Sequence, residues 1–141
     1  MFILLDAHMA ASPSFILRQS DTQESFIEKI KRFNSIFFVA KNEGQIVAYI
    51  RAELTGETFI MDTPGYIHIM GAYCLPEHRG KGLHKVLLKM LLQKLKSEGI
   101  MRLGVDFESF NPTAYGFWLK YFDAYTHSVA RRIDDCAVGK R

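Results

Sequence analysis

The chain has 141 residues, 48% apolar, 23% charged and 13% aromatic, enough for one domain with its own core and too few for two. Eighteen Lys and Arg against 15 Asp and Glu leave a net charge of +3; this suits a polyanionic small ligand and lacks the dense basic stripe of a nucleic-acid binder. Cys74 and Cys136 show no CxxC spacing, which argues against a zinc site and for free thiols in a reducing cytoplasm, and the apolar opening Met1–Leu5 is too short for a signal-peptide core or a membrane span.

Neither a repeat nor a Pro/Gly linker interrupts the chain, so residues 1–141 read as a single domain. Asp21-Thr22-Gln23-Glu24 resembles a capping box. Phe26, Ile27, Ile30 and Phe33 then recur at helical spacing, predicting a helix over 21–33. Ser35–Ala40 and Gln45–Leu54 read as strands joined by Lys41-Asn42-Glu43-Gly44, which is hairpin chemistry. Gly65–Leu75 is apolar on both faces, as a covered central strand would be.

Pro76 stops that strand. Leu83, Val86, Leu87, Met90, Leu91 and Leu95 form the apolar stripe of a helix that Gly99 ends. Met101–Phe107 reads as a strand, Asn111-Pro112 as a helix start, and Tyr125–Ile133 as a last strand. This order predicts an α/β or α+β fold with helices packed on a sheet. Phe107, Phe110, Phe117, Trp118, Tyr121 and Phe122 read as core, and His8, His78 and His127 are too scattered to ligate a metal.

The segment that carries chemistry is Pro76–His84, between the buried strand and the amphipathic helix. The first turn of a helix offers unpaired N–H groups and the positive end of a dipole, a natural phosphate site. Gly80 and Gly82 permit positive φ and close approach of an anion, while Arg79, Lys81 and Lys85 add charge.

Arg79-x-x-Gly82-x-His84 resembles motif A of the GNAT superfamily of N-acetyltransferases, in which an Arg or Gln is followed by Gly, one residue, then Gly or Ala. Asn111-Pro112-Thr113-Ala114 followed by Phe117-Trp118 resembles its motif B. The likeness covers about 65–133. It implies a mixed, mostly antiparallel sheet whose central strands splay, with flanking helices, and acetyl-CoA as co-substrate without a metal.

Several roles follow from that resemblance. The peptide groups of Ala72, Tyr73 and Cys74 would pair with the pantetheine arm, and the Cys74 N–H would face the oxyanion. The N–H groups of Arg79, Gly80, Lys81, Gly82, Leu83 and His84 would hold the pyrophosphate, with Asn111, Ala114 and Trp118 across the slot. His84 replaces the last Gly or Ala of motif A, and its imidazole is free to face the phosphates. Trp118 stands where many members carry a tyrosine general acid; indole cannot protonate a thiolate, leaving Tyr115, Tyr121 or water.

For the base, His68 lies six residues before Cys74, where aralkylamine N-acetyltransferases carry a histidine. Asp106 lies five residues before Asn111, where ribosomal-protein N-terminal acetyltransferases carry a glutamate, and Glu108 is close by. The expected activity is transfer of acetyl to a primary amine of a small molecule, peptide or protein N-terminus, without nucleic acid or membrane as partner. The alternatives are a non-catalytic acyl-CoA-binding module and a polyanion binder. The opening strand and helix look short for the family, so a homodimer that completes the groove is a further expectation.

Overall fold

A computed structural model describes residues 3–4, 22–54 and 63–127. Helix α1 (Gln23–Arg32) is capped by Thr22, whose Oγ1 accepts from the Ser25 N–H. The cap therefore falls one residue later than the Asp21 box suggests. Phe26 is its buried anchor, edge-on to Phe37.

Strands β1 (Ile36–Asn42) and β2 (Gln45–Glu53) form the expected hairpin, turning through Glu43 and Gly44 at φ 49° and 82°. Two successive positive-φ residues give the turn whose twist matches that of the flanking strands. Strand β3 (Tyr66–Cys74) pairs antiparallel with β2, and β4 (Arg102–Val105) pairs parallel with β3. The sheet order is β1-β2-β3-β4.

The β2/β3 ladder slips between Arg51 and Ala52: Arg51 faces Gly71 and Ala52 faces Ile69, leaving Met70 as the extra residue of a bulge. That residue exchanges the faces of β3. Before it, Ile67 and Ile69 enter the main core; after it, Ala72 and Cys74 do. His68 and Tyr73 are left on the opposite side, Tyr73 in a second cluster with Leu4 and Tyr49.

After the single 3₁₀ turn Pro76–His78 comes α2 (Leu83–Ser97), ended by Gly99 at φ 73°. Its buried stripe is Leu87, Leu88, Leu91 and Leu95, each contributing about 1.5–3 kcal/mol of transfer free energy. This corrects the sequence reading: Val86 and Met90 are 56% and 45% exposed, and Leu88 packs instead. Helix α3 (Pro112–Trp118) packs Ala114, Phe117 and Trp118 on the same core. Phe110 and Tyr121, expected inside, are exposed. The expected last strand Tyr125–Ile133 falls largely outside the described residues, and 125–127 are not in a strand. No described helix is long and apolar enough to cross a membrane, and no His, Cys, Asp and Glu group among the described residues could hold a metal.

Candidate active site

Gly80 and Gly82 both take positive φ, 73° and 76°, and Gly82 is the N-cap of α2 with no side chain capping the first turn. The first intrahelical bond runs from the Val86 N–H to the Gly82 carbonyl. The N–H groups of the preceding helical residues thus point out of the helix end, beside the exposed Lys81 and Lys85. No atom lies within 4 Å of where a Cβ on Gly80 or Gly82 would stand, so an anion can approach the backbone directly. These features fit a pyrophosphate.

Arg79 does not aim at that cradle. Its Nε donates to the Cys74 carbonyl at 3.0 Å, and its guanidinium lies 5.6 Å from the centre of the Tyr73 ring. His84 keeps ordinary helical backbone, so its Cβ is accommodated, but its imidazole turns inward, 5.7 Å from the Phe117 ring. Of the directions the sequence left open to it, the imidazole thus takes the one toward Phe117. Its Nε2 is buried without a hydrogen-bond partner, and burial pushes its pKa down.

The β3/β4 ladder runs from Tyr66↔Arg102 to Ile69↔Val105 and stops, while β3 continues to Cys74. The strands part there and leave a lane beside β3. The Leu75 N–H donates to the Val47 carbonyl, so antiparallel alternation turns the peptide groups of Ala72 and Cys74 toward the lane and those of Tyr73 toward β2. Of the three residues expected to pair with a pantetheine arm, two present their backbone to it. The Cys74 thiol is buried, with a pKa raised by burial and only partly offset by Arg79, which keeps it protonated and unsuited to nucleophilic work.

At the point where the lane begins, His68 Nε2 lies 3.3 Å from Asp106 Oδ2. His68 is 1% exposed and Asp106 30%, so the carboxylate is the solvent-facing half. Tyr66 stacks on His68, rings 6.4 Å apart and 15° from parallel, and its hydroxyl covers the backbone of Gly104. The Tyr66 pKa is raised by burial and then by the Asp106 charge. Glu53, buried and paired with Arg51 and Ser35, is the β2 register partner of His68. Glu53 and Tyr66 escaped the sequence reading; only the β2/β3/β4 register brings them to His68.

Asn111, expected across the slot, caps α3, its Oδ1 accepting from the Ala114 N–H at 3.2 Å. Its amide N–H₂ and the second lone pair of Oδ1 are not used by that cap. Trp118 is 6% exposed, packed edge-on to Phe117 and Phe122, and serves the core. Tyr115 and Tyr121, the substitute acids, are both exposed.

The sequence matches the acetyltransferase (GNAT) family over residues 4–123. The fold is similar to that of a ribosomal-protein-alanine N-acetyltransferase from Brucella melitensis biovar Abortus 2308, with TM-score 0.69 and 18% identity over 94% of this chain and 88% of that one. It is also similar to a putative acetyl transferase from Pyrococcus furiosus, with TM-score 0.68 and 20% identity over 93% and 92%. A third similar structure is AAC(6')-Iy in complex with the bisubstrate analogue CoA-S-monomethyl-acetylneamine, with TM-score 0.67 and 14% identity over 84% of each chain. No curated protein matches the chain by sequence. With most of its length matched and the fold shared with solved acetyltransferases, the protein belongs to the GNAT acetyltransferase family.

Proposed function

We propose that the protein is an N-acetyltransferase that moves the acetyl group of acetyl-CoA to a primary amine of a small molecule, peptide or protein N-terminus by direct attack. The observation that carries this reading is the lane itself. It leads from the glycine loop at the α2 N-terminus, along the lane-facing peptide groups of Cys74 and Ala72, to the His68–Asp106 pair.

Acetyl-CoA supplies an activated thioester. In this reading the loop N–H groups hold its pyrophosphate, and the Cys74 N–H and the Ala72 carbonyl fix the arm, the Cys74 carbonyl being held by Arg79. The Ala72 N–H, the lane-facing donor nearer the His68–Asp106 pair, stabilises charge on the carbonyl oxygen as the amine adds, since Cys74 lies at the loop end of the lane. The His68–Asp106 pair takes the proton from the incoming ammonium through water, Asp106 being the half that meets solvent and the imidazole being matched to that task near neutral pH. Asp106 orients the ring and offsets its charge. With Trp118 in the core, water protonates the leaving thiolate, which a thiol pKa of ~8.5 makes tolerable.

The reading is tested by calorimetric titration with acetyl-CoA, followed by thiol release in the presence of a panel of amines. Micromolar binding that is lost in Gly82→Asp, with thiol release on one or more amines, supports it. No binding at millimolar acetyl-CoA overturns it. Binding without turnover on any amine favours the second reading, an acyl-CoA-binding module, for which the buried Trp118 in place of a tyrosine acid is the supporting observation.

A further inference from the structure

Arg79 stands at the head of the phosphate loop, and the sequence counts it among the cations awaiting an anion. Its side chain is committed elsewhere. It folds back five residues to the end of β3, donates Nε–H to the Cys74 carbonyl at 3.0 Å, and lays its guanidinium over the Tyr73 ring at 5.6 Å.

The carbonyl it chooses is specific. Since the Leu75 N–H bonds to Val47, the Cys74 N–H and C=O are the last pair on β3 to face the lane. Arg79 thus ties the first residue after the 3₁₀ turn to the peptide at which the lane ends. It thereby fixes how the uncapped first turn of α2 sits relative to the open edge of β3. Lys81 and Lys85, both exposed, remain to supply charge to the loop.

We propose that Arg79 is a positioning residue of the cofactor lane, not an anion ligand. What the site uses is the Nε–H donor and its reach, with the positive charge incidental. This rests on the acetyl-CoA reading above and changes the role of one residue within it. A donor without charge at the same reach therefore replaces Arg79, and a charge without that donor does not. Glutamine carries its amide nitrogen on Cδ, as arginine carries Nε; lysine places its nitrogen one bond further out.

The experiment is calorimetric titration of the native protein, Arg79→Gln and Arg79→Lys with two ligands. Coenzyme A engages both loop and lane; 3′,5′-ADP lacks the arm and probes the anion end alone. The expected result is 3′,5′-ADP affinity within about twofold of native in both variants. Coenzyme A affinity is then held within about threefold by Arg79→Gln and lowered about tenfold by Arg79→Lys, the worth of one well-placed hydrogen bond. Parallel loss of both ligands in Arg79→Gln, with both retained in Arg79→Lys, overturns the proposal and makes Arg79 an anion ligand. Native-like affinity for coenzyme A in both variants also overturns it. A native protein that takes neither ligand overturns the acetyl-CoA reading itself, and this role with it.

Discussion

His68 Nε2 and Asp106 Oδ2 approach to 3.3 Å across the only parallel pairing of the described sheet, His68 from β3 and Asp106 from just past the end of β4. The two residues that sequence alone offers as rival bases are one unit. If they act as one, their losses do not add. His68→Gln lowers kcat/KM for the amine found by screening by about 10²–10⁴-fold, Asp106→Asn lowers it less, and the double variant falls no further than His68→Gln. Steady-state kinetics on the four proteins checks this; additive losses would make the two residues independent.

Gly104 is the floor on which that unit rests. A Cβ there would meet the Tyr66 hydroxyl oxygen at 1.9 Å and His68 Nδ1 at 3.0 Å. Gly104→Ala must therefore expel the Tyr66 ring, at about 1–3 kcal/mol of stability. In a Tyr66→Ala background the clash is gone and the same change costs less than half as much. Denaturant unfolding of the two pairs measures the difference.

His84 gives the fold a pH dependence whose sign is set by burial. Its pKa is lowered from 6.5 in the folded protein, so the unfolded chain binds the proton more readily. The stability it contributes is whole above pH 6.5 and is lost as pH falls from there through the folded pKa. Between pH 7.5 and 5.5 the native protein should lose more stability than His84→Asn, read by urea midpoints at each pH. Equal losses would show that the imidazole is solvated.

Trp118 separates packing from catalysis. Buried in the core, it is expected to cost about 3–5 kcal/mol as Trp118→Ala. Trp118→Phe keeps most of the ring contacts with Phe117 and Phe122, so turnover should stay within about threefold of native while thermal stability drops modestly. A hundredfold loss of kcat in Trp118→Phe with the fold intact would give the indole a part in the reaction.

Features written in local chemistry were legible in advance: the Glu43-Gly44 turn, the Asn111 cap and the glycine loop each follow from residues within four positions of one another. The stripe of α2 was misplaced because Leu87 and Leu91 belong to two overlapping faces, and only contact with the sheet chooses Leu88 over Val86 and Met90. The bulge at Met70 carries no sequence signal, yet it decides which side of β3 His68 faces. Arg79 misleads for a related reason. A cation beside a glycine loop suggests an anion, and the carbonyl that captures it becomes visible only once the ladder assigns a direction to each peptide group.

The parting of β3 from β4 has one more consequence, for the protein at rest. From Met70 to Cys74 about 16 Å of backbone lies beyond the last β4 partner, with no strand beside it on that side among the described residues. Such edges on the rim of a sheet are where chains stick to one another. This one ends beside the uncapped first turn of α2, where Arg79 donates Nε–H to its last carbonyl, that of Cys74. The side-chain bond that orders the end of the lane thus also removes one acceptor from the exposed edge, leaving a neighbouring chain less to pair with.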